Sequence, residues 1–453
     1  VKSKQIHQLT QGNVLDHLRR MTWPLLMAMI LLMSFNFIDA YFVSLLGTEE
    51  MAAFSFTFPV TFTIFSMVIG LGIGTSTAVA TAQGQGRSEE ARGIGGMAIV
   101  LSTVLVCLLC IPVWLFHDPL FQWLGADEST RRLADGYMAV WLAGAVFAAF
   151  PLVGNAVMRA NGNTRGPSIV MAASAAINAA LDPLLIFGWG PVPAMGLAGA
   201  ALATILAYAI SSAIILYMLI KQMDAIGWCR KWQQQREAAK GILGVAVPAA
   251  GANMLTPMAM AVMTAIVAQY GDEAVAAFGV GTRLESLATL VVLTLSMSLP
   301  PLISQNAAAG HMDRVRLLYR TVMRFTLLWQ GGVYLVLLLL SPWIAGAFGQ
   351  EPAVEETIIL LVMLLPLGWG AQGVTILTNS SFNALRRPMS ALNLSFVRLF
   401  VTYLPLAWIG GKIAGLPGVF AGSVIANLIT GLIAWRWMWF FLCHTRQEQQ
   451  EAQ

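Results

Sequence analysis

Polar residues along this chain fall in short clusters, and between the clusters lie long, nearly uninterrupted apolar runs. A membrane-spanning helix needs about 20 predominantly apolar residues. By that measure twelve runs stand out, at residues 21–46, 52–82, 95–116, 133–158, 167–188, 196–220, 241–269, 274–305, 320–348, 357–381, 389–410 and 415–442. The pattern predicts an all-α polytopic membrane protein with twelve transmembrane helices. Composition agrees: 57% of the 453 residues are hydrophobic and 11% charged, against roughly 25% charged in soluble domains. The mean hydropathy is +0.71.

The pattern also repeats. Pro24 in RMTWPLLMAM matches Pro248 in LGVAVPAAGANM at an offset of 224, and LLGTEEMAAF matches QYGDEAVAAF at the same offset. Gly86 with Arg92 meets Gly310 with Arg316, again at 224, and MGLAGAALAT resembles PGVFAGSVIA at about 222. The expected organisation is an N-terminal segment, 1–20, a first six-helix lobe, 21–222, a charged linker, 223–240, a second lobe, 241–443, and a polar tail, 444–453, expected to be disordered. Six helices per half make the halves parallel repeats, related by a pseudo-two-fold axis along the membrane normal. That arrangement is expected of a secondary transporter, ahead of a channel, a receptor or a membrane scaffold.

Charge orients the helices, because retained lysine and arginine mark cytoplasmic loops. With both termini in the cytoplasm, the inner segments collect Lys2, Lys4, Arg19, Arg20, Arg87, Arg92, Arg159, Arg165 and most of the remaining basic residues. The outer side keeps Arg131, Arg132 and Lys412 beside many acids. The expected location is the inner, cytoplasmic membrane. The net charge of +4 is spread over short turns, and nucleic-acid binding would need it on one face. The first apolar run is too long for the h-region of a secretory signal. Cys107 and Cys110 share a helix face, where packing is the expected role, while Cys229 and Cys443 fall on the reducing side. The glycines of IGLGIGTST and the methionines Met254, Met258, Met260 and Met263 also read as packing.

No GxxxxGK[ST] phosphate loop is present, since GGKIAG lacks both the spacing and the hydroxyl. ATP hydrolysis, any other enzymatic role and a bound cofactor are therefore not expected, and an ion gradient is the remaining source of energy. Two carboxylates within apolar runs, Asp39 and Asp182, are the candidates for coupling to it, because a charge at that depth is expensive and normally faces a cavity or the protein interior. Asn178 lies four residues before Asp182, on the same helical face, and Asn36 one turn before Asp39. Pro183 frees a backbone carbonyl one turn earlier. Such oxygens suit a proton relay or a small hard cation. The repeat places Met263 and Tyr403 opposite the two aspartates, so these acids belong to the first half. Arg283, Glu285 and Arg398 of the second half need partners, and structural and functional roles are equally open for them.

Pro24, FIDAYFVSLLG, AQGQGRSEEAR, RANGNTRGP and NAALDPLLIFGWG followed by GLAGAALAT resemble the MATE multidrug and toxic compound extrusion transporters, with the best fit to the DinF-type branch. The resemblance covers essentially the whole chain and is weaker in the second half. It implies two six-helix lobes that open alternately to either side of the bilayer, exporting amphipathic, often cationic compounds in exchange for protons or sodium. Its site residues match here as Asp39, Tyr137, Asn155, Asn178, Asp182 and Thr204, with Pro24 as the point where the first helix bends. The resemblance favours protons, with sodium at Asp39, Asn178, Asp182 and Thr204 as the alternative. No second-lobe acidic sodium site is evident. A lipid or lipid-linked precursor flippase of the same superfamily is the rival, but it would be expected to carry more cavity cations than Arg283 and Arg398.

Overall fold

The computed structural model describes residues 9–123, 127–228, 231–348 and 352–451, and apart from one isolated bridge between Trp189 and Val192 its regular structure is helical. The helices are α1 (Val14–Ser44), α2 (Thr48–Gly84), α3 (Ser88–Trp123), α4 (Glu128–Ala160), α5 (Arg165–Phe187), α6 (Gly196–Tyr217), α7 (Trp232–Ala268), α8 (Asp272–Ala288), α9 (Leu290–Ala308), α10 (Met312–Phe348), α11 (Pro352–Leu364), α12 (Pro366–Ala384), α13 (Pro388–Phe396) and α14 (Leu404–Glu451). Two π-helical segments, Met218–Gln222 and Val397–Tyr403, follow α6 and α13.

Ten helical stretches among the described residues are long and apolar enough to cross a membrane, and the pair Val354–Leu364 and Pro366–Ala384, bent by 48°, forms an eleventh. The 57-residue stretch Pro388–His444 is two crossings. It breaks at Ala414 and Gly415, where Gly415 takes φ 65° and Pro417 follows, because glycine alone enters that backbone region freely. Twelve crossings result, as the apolar runs predict.

Loop corners repeat with the sequence. Gly47 and Gly271 precede α2 and α8 with φ of 144° and 104°, and Gly86 and Gly310 follow α2 and α9 with φ of 73° and 81°. At the third such corner Gly162 has φ 79° and its equivalent, 224 residues on, is Arg386 at φ 58°. Each of the last two corners closes with a bond from the residue after the turn back into the helix. Arg87 N donates to Ala82 O at 2.9 Å and His311 N to Asn306 O at 2.8 Å, then Asn163 N to Met158 O at 3.0 Å and Arg387 N to Phe382 O at 2.8 Å. This is the left-handed helix stop in which orphan carbonyls find a donor.

The expected linker is shorter than 223–240. Residues 223–228 form an irregular strap, with Asp224 bonded to Arg92 at 2.7 Å, but α7 begins at Trp232, since QQQREAAK consists of good helix formers. The tail expected to be disordered continues α14 to Glu451 for the same reason. Cys229 lies outside the described residues; Cys107, Cys110 and Cys443 are free thiols.

Two compact units divide between Ala250 and Gly251. In the first, α4 packs against α2, α3 and α6, and α5 lies against α6 and α1. The IGLGIGTST stretch of α2 is largely buried. Small residues set the spacing: a Cβ on Gly144 would strike Ile205, one on Gly154 would strike Ile215, and one on Gly199 would strike the Leu185 carbonyl. The second unit repeats the last contact, with Gly422 against the Leu406 carbonyl. In that unit α12 is central, against α9, α10 and α14. Gly199→Ala is expected to push α6 off α5 at a cost of about 1–3 kcal/mol. The check is a lower apparent Tm in detergent than that of Gly136→Ala, at a glycine with open space around it.

Candidate functional site

The site forms where α1, α4, α5 and α6 meet in the first unit. Asp182 lies five residues before the end of α5 and is fully buried. One turn earlier on the same face, Asn178 donates its amide to Asp182 Oδ1 at 3.3 Å and lies 3.4 Å from Thr204 Oγ1 of α6. Thr204 in turn donates back to the Ala200 carbonyl at 3.1 Å, so its oxygen remains an acceptor for Asn178. Asp39, five residues from the end of α1, brings its carboxyl into side-chain hydrogen-bonding contact with that of Asp182. Asp182 Oδ2 is buried and receives no N–H or hydroxyl donor.

Aromatic residues wall this pair. Tyr137 of α4 is buried close to both carboxyls and meets Phe54 edge-on at 5.7 Å between ring centroids. Tyr208 of α6 faces Asp39 and packs edge-on against Phe65, which stands against Trp141. Phe42 and Phe187, a short step beyond the two aspartates, meet at 6.3 Å and hold α1 to α5. Tyr208 is absent from the sequence-based set, although it lies four residues after Thr204 and therefore on the same helical face.

The remaining expected residues are placed differently. Asn155 is buried with its Oδ1 unpartnered. It lies 18 residues beyond Tyr137 on α4, about 27 Å along the axis at 1.5 Å per residue, and so occupies another level of the helix. Pro24 is 15 residues, about 22 Å, from Asp39 along α1, which passes through it as one continuous helix. The Asn36 side chain lies outside the described residues.

In the second unit Met263, at the position repeating Asp39, is core. Glu285 finds the partners it needs away from Arg283. It accepts from Gln372 Nε2 at 2.5 Å, Gln372 Oε1 accepts from Asn427 at 3.4 Å, and Arg398 and Tyr403 stand beside it. Arg398 lies on the π-helical segment, and Arg283 remains exposed. Among the described residues no cluster of His, Cys, Asp and Glu could hold a transition metal. The oxygens of Asp39, Asp182 and Thr204, gathered about the Asn178 amide, are of the kind that suit a proton or a hard monovalent cation.

Repeated sets of membrane-crossing helices, the first of which buries a polar constellation among its own members, are the features of a polytopic membrane transporter. The MatE family model matches residues 24–184 and again 248–409, the two copies beginning at Pro24 and Pro248, and this chain belongs to that family. It is 36% identical to a FAD transporter of Shewanella oneidensis over 95% of each chain. It is 27% identical to the probable multidrug resistance protein YpnP of Bacillus subtilis over 90% of this chain and 92% of that one. The Vibrio cholerae MATE transporter VcmN in its bent form superposes with a TM-score of 0.90 at 33% identity, covering 95% of this chain and 97% of that one.

A buried carboxyl that loses its partner is costlier than one replaced by an amide. Asp182→Ala, which strands Asp39 and the Asn178 amide, is therefore expected to lose about 1–3 kcal/mol, whereas Asp182→Asn stays close to the parent. Thermal unfolding of the two variants in detergent checks the order.

Proposed function

We propose that this MATE-family transporter exports amphipathic organic compounds in exchange for protons, and that Asp39 and Asp182 hold the coupling proton. The observation that carries the reading is the side-chain contact between the Asp39 and Asp182 carboxyls, made where Asp182 is fully buried. Two ionised carboxylates are acceptors only, so they bond each other when one retains a proton. Binding or releasing that proton changes the contact between α1 and α5, and Pro24 supplies a weakened point farther along α1. Reciprocity then requires the exported compound to lower the affinity for the proton. Sodium held by Asp39, Asn178, Asp182 and Thr204 is the alternative coupling ion. Membrane acids in the first half, at Asp39 and Asp182, support the DinF-type reading of the chain. The excess of arginine on one set of loops supports an inner-membrane protein with both termini in the cytoplasm.

The substrate has two readings. The multidrug relatives favour organic cations. The likeness to the Shewanella FAD transporter favours a flavin dinucleotide, for whose phosphates Arg283, the exposed arginine of α8, offers a cation. With Arg398 beside Glu285, few cations remain for a lipid-linked pyrophosphate. Vesicles holding the purified protein and loaded with a fluorescent cationic dye or with FAD, under an imposed proton or sodium gradient, separate these readings. Proton-driven efflux reduced by tenfold or more in both Asp39→Asn and Asp182→Asn is expected. Undiminished efflux in either variant overturns the coupling role, and efflux driven by sodium alone transfers that role to the cation. Loss of FAD efflux with dye efflux retained in Arg283→Gln would assign the dinucleotide reading.

A further inference from the structure

A cavity of about 310 Å³ opens at the end of the first unit where α1 begins and α4 turns into α5. Its walls divide by chemistry. Arg20, Arg165 and His17 line it on the polar side, Leu9, Ile169 and Met218 on the apolar side, and no acidic residue contributes. Among the described residues neither Arg20 nor Arg165 forms an ion pair, and both are exposed. His17 Nε2 lies 2.7 Å from the Gln11 carbonyl, which ties the start of α1 to the segment before it. The floor is the Gly162 corner, fixed where Asn163 Oδ1 accepts the Gly166 N–H at 3.0 Å. The N-terminus of α5, where the Thr164 side chain gives no cap and Asn163 takes the Gly166 N–H, adds the positive end of its dipole.

The level of the cavity is that of the lipid headgroups. Arg20 is the last charged residue before the apolar run of α1, Trp23 follows it at 66% exposure, and Trp228 and Trp232 are exposed as well; exposed tryptophans gather at the membrane–water boundary. Ile169, on the rim, is 69% exposed and continues the cavity onto the apolar surface of α5. We propose that this cavity binds the phosphate of an anionic phospholipid, with Arg20 and Arg165 on the headgroup and the acyl chains leaving past Ile169. A phosphate group is the shared chemistry of a lipid headgroup and a free anion, and the apolar wall selects the lipid. Basic pockets at helix ends take such headgroups through charge-assisted contacts. The site is not demanded by the fold, because the positions 224 residues on from His17, Arg20 and Arg165 hold Gly241, Gly244 and Met389. The arginines of that second corner, Arg386 and Arg387, sit on the turn itself, and Arg387 lies over the Phe441 ring at 5.0 Å.

The test is native mass spectrometry of the full chain in detergent, titrated with phosphatidylglycerol, with phosphatidylcholine and with inorganic phosphate. The proteins compared are the parent, the double variant Arg20→Gln with Arg165→Gln, and Arg19→Gln as a neighbouring charge outside the cavity. Retained phosphatidylglycerol, weakened about tenfold or more in the double variant and unchanged in Arg19→Gln, supports the proposal. Phosphatidylcholine should bind the parent no better than phosphatidylglycerol binds the double variant. Equal binding of the two lipids, or undiminished phosphatidylglycerol in the double variant, overturns it. Displacement of the lipid by millimolar inorganic phosphate overturns the lipid as occupant and leaves a free-anion site. Should the double variant not purify, the single variants Arg20→Gln and Arg165→Gln read the same effect, and unchanged affinity in both overturns the proposal.

Discussion

A carboxyl group within the hydrocarbon layer cannot turn to water for its hydrogen bonds, so protein must surround it, and that requirement organises the first unit. Asp182 on α5 needs an amide donor on its own face, which Asn178 supplies one turn away, and that same amide also donates to Thr204 of a second helix, α6. It needs a third helix as well, because one of its oxygens faces the Asp39 carboxyl of α1. The contact that crosses from α5 to α6, Asn178 to Thr204, is made between helices that approach closely where Gly199 meets the Leu185 carbonyl. The packing of small residues and the polar constellation are thus one arrangement. The aromatic rings of Tyr137 and Tyr208, backed by Phe54 and Phe65, line the same constellation.

The halves share their corners and differ in their interiors, and the two facts have different physical origins. A chain leaving a membrane helix must reverse within a few residues and satisfy its last carbonyls, which restricts the corner to a left-handed residue and a bond back into the helix. The second half meets that demand even with Arg386, whose side chain makes φ 58° cost about 1–2 kcal/mol. The interior is under no such restriction once its helices fit. Met263 can stand where the first half has Asp39, and a carboxylate can reappear at Glu285, on a different helix with different partners.

Much of this was legible in the sequence, because membrane helices announce themselves by length and apolarity alone. The twelve runs, the repeat offset of 224 and the pairing of Asn178 with Asp182 each depend on spacing along one helix, which a sequence displays. What crosses between helices is not displayed. The meeting of Asp39 with Asp182 was implied only through the family resemblance, and the placement of Glu285 among Gln372, Asn427 and Arg398 needed coordinates. Tyr208 was accessible from its spacing to Thr204 and went unread because a tyrosine in an apolar run looks like core. The level of Asn155 was equally accessible, since 18 residues of helix already separate it from Tyr137. The helical extension of the 232–240 and 444–451 segments was hidden by their polarity, which argues against a membrane span but not against a helix.

The contrast between the two buried acidic sites supports assigning ion coupling to the first half. Glu285 has an amide donor from Gln372 and a guanidinium nearby in Arg398, so a negative charge there would be balanced by groups that are covalently part of the protein and cannot leave. Asp39 and Asp182 have each other, an asparagine and tyrosines, and among the described residues no lysine or arginine interacts with them. On the proposed function, two carboxyls in that setting take a positive occupant from outside the chain, either a proton shared between them or a cation among their oxygens. An occupant that can leave is what a gradient can act on, and its departure changes a contact made by α1, the helix that contains Pro24. A fixed counter-charge offers no such exchange. The arginine in the second half therefore argues for a structural role at Glu285, and the lack of one in the first half argues for an exchangeable ion at Asp39 and Asp182.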